Sequence, residues 1–274
     1  MVLSPGIDLN TASLQGYDEA AAATMPHAYG GAEQTLLLRR QIEAMRDGGV
    51  VAIGVPANPS RCPPAPYERA SLIAHYLKAN KPRSKVLILD AKDSFSQQRL
   101  FEQAWAEFYG GMIERVPLSQ GGRVTAVDAA TKTIVTEFGN YHPDVANIIP
   151  PQKAGPVAAL AGTTDRTGWC PIDPMTFISR RVPDIHVIGD SCLGGGIPKS
   201  AAAAQAQGQA CAAVIAAQLA GKTVEDPTLT GVCYNTVAPG YAFSLSGTYQ
   251  PRGDIFAEEA VRTCLLYTSD AADE

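Results

Sequence analysis

Two short runs constrain this chain more than anything else in it. VVAIGVP (Val50 to Pro56) and KVLILD (Lys85 to Asp90) are apolar and largely β-branched, with no polar alternation. Runs of that kind are buried on both faces, as the strands of a parallel sheet are. Segments with helical apolar spacing flank them, at Glu33 to Gly49, Pro66 to Ala79 and Ser96 to Tyr109. Strand–helix–strand–helix is the doubly wound α/β pattern. The 274 residues suffice for one large domain or two ordinary ones, and 46% hydrophobic against 18% charged residues excludes wholesale disorder.

The pattern then changes. Gly121 to Gly139 (GGRVTAVDAATKTIVTEFG) alternates about a turn near Ala129 to Lys132 and reads as an antiparallel hairpin. A strand from Ala146 ends in a double-proline loop, a helix covers Gly155 to Ala161, and IHVIGDS (Ile185 to Ser191) reads as another buried strand. Ser200 to Ala220 is an Ala-rich helix stopped by Gly221, and Asp226 to Glu259 carries short strands. A parallel unit interrupted by a hairpin, then a return strand ending in Gly-Asp, is the order of a flavoprotein with two dinucleotide-binding domains.

Composition narrows the partners. The formal charge of −5 leaves no basic excess for phosphates, so nucleic acid is not the expected partner. No apolar run is long enough to span a bilayer. Six cysteines without a C-x-x-C pair and four scattered histidines give no metal-ligand spacing, so no metal site is expected.

The chemistry concentrates in three places. The turn after the first strand would read G-x-G-x-x-G in a dinucleotide site, where backbone amides approach the pyrophosphate. Here it reads ANPSRCPPAPYERA (Ala57 to Ala70), with no glycine and four prolines, which lack the amide hydrogen. Asp90 is then a strand-end carboxylate rather than a ribose ligand. Cys62 stands at this mouth of the sheet, and Cys170 lies in TGWCPIDP (Thr167 to Pro174), each followed by proline. Taken alone, either reads as a buried structural thiol or as a reactive one in an exposed turn. In HVIGDS, Gly189 allows close approach and the Asp190 carboxylate suits flavin ribityl hydroxyls. Pro198-Lys199-Ser200 opens the following helix, whose amino end and ammonium suit the negative charge of a reduced flavin.

RCPPAPYERA, RTGWCPIDP, HVIGD and IPKSAAAAQAQ together resemble the flavin-binding subunit of flavocytochrome c sulfide dehydrogenase, as do SPGIDLNTASLQGYDEAAA and CYNTVAPGYAFSLSGTY. The resemblance implies a glutathione-reductase-like α/β fold with two dinucleotide-binding domains. It lacks the first FAD-binding βαβ unit and ends in a small C-terminal α+β interface domain. The expected divisions are 1–35 as a remnant of the FAD-binding domain and 36–145 as an NAD-like domain without its glycine loop. Residues 146–222 would be the return segment of the FAD-binding domain, and 223–260 a partner-docking domain. Cys264 to Glu274 resembles translated sequencing-adapter sequence.

The same resemblance implies sulfide oxidation by a redox-active Cys62–Cys170 disulfide, with Cys170 nearer FAD and Cys62 facing hydrosulfide. Gly189, Asp190, Pro198, Lys199 and Ser200 would contact the cofactor, and a c-type cytochrome subunit in the periplasm would accept electrons. The chain has no C-x-x-C-H, so the haem would belong to another polypeptide. Alternatives are a sulfide:quinone oxidoreductase-like flavoprotein and a non-catalytic fragment offering only an interaction surface.

Overall fold

The computed structural model describes residues 1–266. Its elements begin with strands β1 (Val2–Leu3) and β2 (Ile7–Leu9), helices α1 (Glu19–Ala22) and α2 (Gly31–Ala44), then β3 (Val50–Val55) and α3 (Ala65–Asn80). Next come β4 (Lys85–Asp90), α4 (Gln98–Tyr109), β5 (Ile113–Val116), β6 (Val124–Asp128), β7 (Thr133–Thr136), β8 (Asn140–Tyr141) and β9 (Val145–Ile148). After β10 (Gln152–Ala154) and α5 (Pro156–Leu160) stand β11 (Cys170–Pro171), β12 (His186–Val187) and β13 (Cys192–Leu193). Helix α6 (Ala201–Leu219) leads to β14 (Leu229–Ala238), β15 (Tyr241–Arg252) and β16 (Ile255–Leu266).

The chain divides into two compact units. The first holds Met1–Leu9, Gln152–Tyr234 and Phe243–Leu266, and the second holds Asn10–Pro151 with Asn235–Ala242. In the second unit a parallel sheet runs in the order β5-β4-β3-β9, with Val51 opposite both Val86 and Val145. Tyr67, Ala70, Ile73, Ala74 and Leu77 lie on the buried face of α3 at spacings of three and four, as the helical period requires. The hairpin appears as expected, β6 against β7, turning through Lys132 in the left-handed region (φ 53°). Helix α2 stops at Ala44, ahead of the glycines at 48 and 49. The buried Lys81 ammonium explains this: it takes the carbonyls of Ile42 and Glu43 at 2.6 and 2.7 Å, and that of Met45.

In the first unit β1 pairs in parallel with β12, β2 is antiparallel to β10, and β11 is parallel to β13. Strands β14, β15 and β16 form a separate three-stranded sheet. Trp169, Cys170, Phe177, Val187, Cys192 and Cys211 share one buried core with Leu229, Tyr249 and Phe256.

Two boundaries differ from the sequence reading. Residues 10–35 belong with the central unit: Leu14, Tyr17 and Met25 are buried against Ala52, Leu89 and Ile148, and Asn147 Nδ2 donates to the Pro26 and His27 carbonyls. Residues 223–260 are not a separate module, because Leu229, Tyr249 and Phe256 complete the first unit's core. They are strand throughout β14 and β15, and those strands are long, not short. IHVIGDS is also less regular than expected: only His186 and Val187 pair as strand, and Gly189–Ser191 form a 3-10 turn. Cys264 continues β16, while 267–274 lie outside the described residues.

Candidate functional site

In the second unit, Cys62 ends the loop from β3 with a left-handed backbone (φ 50°) that few residues other than glycine adopt. The Ala65 amide donates to the Cys62 carbonyl at 2.9 Å, so the residue stands at the amino end of α3, a helix of 16 residues with no side-chain cap. Tyr29 and two arginines are its neighbours. Tyr29 Oη donates to the Arg61 carbonyl at 3.0 Å, and Arg61 Nη2 donates to the Tyr29 carbonyl at 2.7 Å. Both guanidinium groups lie over the Tyr29 ring, at 5.6 and 5.5 Å for Arg61 and Arg69. Arg69 is locked by the His27 carbonyl (3.1 Å), the Ala28 carbonyl (2.6 Å) and Asn147 Oδ1 (2.8 Å). Burial pushes the Tyr29 hydroxyl up to about 12; Cys62 adds to the shift and the two arginines oppose it. A half-buried thiol beside fixed cations and a helix amino end is in a reactive setting.

At the carboxyl edge of the same sheet, Asp90 is fully buried and fully engaged. It accepts from Tyr67 Oη at 2.6 Å, pairs with Lys92 Nζ and Arg115 Nε at 2.9 Å each, and accepts the Lys92 amide at 3.1 Å. Phe95 stacks on Tyr67 at 3.5 Å, with the Arg115 guanidinium over it at 5.0 Å. Burial lowers the Lys92 pKa and Asp90 counters that shift. The strand-end carboxylate is therefore a structural hub, with its acceptor sites taken by its own unit.

In the first unit, Cys170 is buried, its sulfur 3.5 Å from Thr163 Oγ1. Directly opposite in the β11–β13 register is Cys192, also buried, whose Sγ donates to Gln207 Oε1 at 3.2 Å. The same Gln207 oxygen accepts the Gly189 amide at 2.8 Å, so α6 holds both the Gly-Asp turn and the second cysteine. Lys199 closes the group. Its ammonium donates to the Asp190 and Cys192 carbonyls at 2.7 and 2.6 Å and sits 4.2 Å from the Trp169 ring centroid. Burial lowers the Lys199 pKa, while the charges of Cys192, Asp190 and Cys170 raise it. Burial pushes the Cys192 thiol up to about 11, with Lys199 opposing. Ser200, at the start of α6, accepts the Ala203 amide at 3.3 Å.

Of the residues expected to act, the structure gathers Cys170, Gly189, Asp190, Lys199 and Ser200 in one unit and sets Cys62 in the other. Cys170, Cys192, Cys211, Cys233 and Cys264 are free thiols. Pro198 is half-buried and precedes the lysine. Neither Cys192 nor Trp169 is among the residues the sequence reading expects to act. Their juxtaposition with Cys170 and Lys199 depends on a pairing of two-residue strands that no local periodicity announces.

A flavin fits part of this arrangement. Gly189 turns with φ 75°, a backbone that side chains rarely adopt, and a Cβ there would lie tight against Ser4 Oγ at 3.0 Å, so the turn favours glycine beside the strand-end carboxylate. Carboxylate, helix amino end and ammonium match ribityl hydroxyls and an electron-rich ring. No G-x-G-x-x-G loop for a pyrophosphate occurs in the 274 residues.

Residues 35–150 match the family described as sulfide dehydrogenase [flavocytochrome c] flavoprotein chain, central. Among solved structures, a chain of the Tetrahymena thermophila mitochondrial ATP synthase is 13% identical over 93% of this chain and 65% of its own length, with a TM-score of 0.64. The FAD-dependent pyridine nucleotide-disulphide oxidoreductase of Desulfovibrio vulgaris is 15% identical over 91% of this chain and 60% of its own, at 0.52. The HOCl-induced flavoprotein disulfide reductase RclA of Escherichia coli, as its Cu(II) complex, is 15% identical over 90% and 51%, at 0.51. At such identities the likeness is one of fold, a glutathione-reductase-like one, and the chain spans between 51% and 65% of these structures' lengths.

Proposed function

We propose that this chain, whose residues 35–150 match the central region of the flavocytochrome c sulfide dehydrogenase flavoproteins, is a flavoprotein of that kind and oxidises hydrosulfide through a Cys62–Cys170 disulfide and FAD, passing electrons to a c-type cytochrome subunit in the periplasm. More coarsely, it is a flavin-dependent oxidoreductase of the disulfide type. The observation that carries the proposal is a cation set against each thiol: Arg61 and Arg69 by Cys62, Lys199 by Cys170.

Bound FAD supplies a two-electron acceptor able to release electrons singly, which suits a haem partner. Gly189, Asp190, Pro198 and Lys199 are the residues that would hold it, with Ser200 acting through the helix start it caps rather than through its own hydroxyl. Hydrosulfide attacks Cys62 Sγ, the sulfur–sulfur bond breaks, and Cys170 departs as a thiolate. The proton of hydrosulfide stays on the new Cys62 persulfide. Thr163 and Lys199 counter part of the burial that disfavours the Cys170 thiolate, the group that holds the released electron pair. Arg61 and Arg69 attract the anionic substrate to the more open thiol.

Anaerobic titration of the flavin-loaded chain with sodium sulfide, followed by flavin absorbance, tests this. Bleaching is expected, and Cys62→Ser or Cys170→Ser should keep the flavin and lose the bleaching. Equal bleaching in both variants would overturn the disulfide, and a chain that retains no flavin would overturn the cofactor assignment.

A further inference from the structure

Cys170 has a thiol neighbour inside its own unit. Strands β11 and β13 are parallel and place Cys170 opposite Cys192. Paired strands lie about 4.8 Å apart, inside the roughly 4.4–6.8 Å Cα window of a disulfide. Residues opposite one another project to the same face of the sheet. Both thiols belong to one buried core, and the Lys199 ammonium, held on the Cys192 carbonyl, faces both sulfurs electrostatically. Thr163 and Gln207 are the hydrogen-bonding partners at the two sulfurs.

We propose that Cys192 is a resolving thiol for Cys170, closing a disulfide within the first unit when a small hydroperoxide oxidises Cys170. The first step takes the Cys170 thiolate and the hydroperoxide to a sulfenic acid, releasing the alkoxide or hydroxide as leaving group. In the second, Cys192 sulfur attacks Cys170 sulfur, the S–O bond breaks, and the sulfenic oxygen leaves as water with the Cys192 proton. Two thiols lose two electrons in all, and one peroxide bond is reduced.

The order of events follows from the surroundings. Burial pushes both thiols up and Lys199 opposes it at both, but the Thr163 hydrogen bond also works against it at Cys170, whereas the Cys192 thiol donates to Gln207 and reaches about 11. Cys170 therefore ionises first and meets the oxidant, and Cys192 resolves. Burial restricts the oxidant to a small molecule. The outcome is a neutral, reducible disulfide in place of a buried sulfinic acid, and it withdraws Cys170 from any partnership with Cys62. The proposal needs neither flavin nor sulfide, so it stands or falls separately from the proposed function.

The test treats the full 274-residue chain with hydrogen peroxide, alkylates it under denaturing conditions, digests it without reductant and maps the peptides by mass spectrometry. A Cys170–Cys192 linked pair, lost on treatment with dithiothreitol, is expected. Cys192→Ser should lose the link and accumulate Cys170 sulfinic acid. The proposal is overturned if Cys170 is found linked only to another cysteine, or proceeds to sulfinic acid in the unaltered chain. That wild-type map decides the matter even if the serine variant folds poorly.

Discussion

The two Cys-Pro motifs look alike in sequence and are built by opposite means. Cys62 sits on a loop, half-exposed, in a left-handed backbone, at the amino end of an uncapped helix and beside two arginines. Cys170 sits in a strand, fully buried, opposite a second thiol, with one ammonium nearby. The first setting favours a thiolate by surrounding it with cationic and dipolar donors in partly aqueous surroundings. The second disfavours a charge by burial and recovers part of that loss through Lys199. A proline after cysteine thus says where the chain turns, and the reactivity comes from what the rest of the unit places around the sulfur.

Removing the arginine that orders the open setting should have the largest effect. Arg69→Met leaves the His27 and Ala28 carbonyls and Asn147 Oδ1 without their charged donor. Hydrogen bonds to charged groups contribute about 1.5–3 kcal/mol each, so the second unit should lose about 4 kcal/mol after the methionine repacks. Urea unfolding followed by tryptophan fluorescence reads this loss. At pH 7 the same variant should slow alkylation of Cys62 by iodoacetamide about tenfold, the equivalent of roughly 1.4 kcal/mol. Unchanged reactivity would mean that the guanidinium orders the loop without activating the thiol.

The buried setting predicts a smaller effect that appears only at alkaline pH. Cys192 is raised from 9.0 to about 11 in the folded chain. Above pH 9 the unfolded thiol releases its proton while the folded one keeps it, so unfolding is favoured as pH rises. Stability is full below pH 9 and falls until about pH 11, by roughly 2–3 kcal/mol in total. Cys192→Ser should flatten this part of the curve relative to the unaltered chain, measured by thermal unfolding across that range. An identical slope in both proteins would place the titration elsewhere.

How much of this was readable beforehand depends on range. VVAIGVP and KVLILD declared adjacent parallel strands because a strand buried on both faces needs no partner-specific signal, and Val50 indeed pairs with Lys85. The hairpin and the Ala-rich helix were legible for the same local reason. Residues 10–35 were misassigned because what holds them is long-range, Asn147 reaching back to Pro26 and His27. Cys192 escaped for a related cause: strands of two residues have no periodicity, and their register exists only once α6 and Gln207 are in place. Lys199 was legible as a charge that follows the Gly-Asp turn, but its hold on two carbonyls follows from how Asp190 to Lys199 folds back on itself.

The smallest effect concerns the two helix starts, and it separates capping from cofactor contact at Ser200. Helix α3 has no side-chain cap, which leaves its amino end open to charge near Cys62, whereas α6 is closed by Ser200. The Ser200 hydroxyl accepts the Ala203 amide and is also bonded to the Cys233 thiol, offsetting part of the burial that raises that thiol's pKa. Both contacts lie within the first unit and need no ligand. Ser200→Ala should therefore destabilise the flavin-free chain by about 1 kcal/mol, the usual worth of an N-cap. Ser200→Asp, which keeps the capping oxygen, should recover most of that loss. Flavin affinity, measured by quenching of flavin fluorescence, should change little in the alanine variant if the hydroxyl serves only the helix. A drop in affinity beyond tenfold, with the flavin-free stability unchanged, would reverse the assignment: Ser200 would then be a cofactor ligand, and the amino end of α6 would be as open as that of α3.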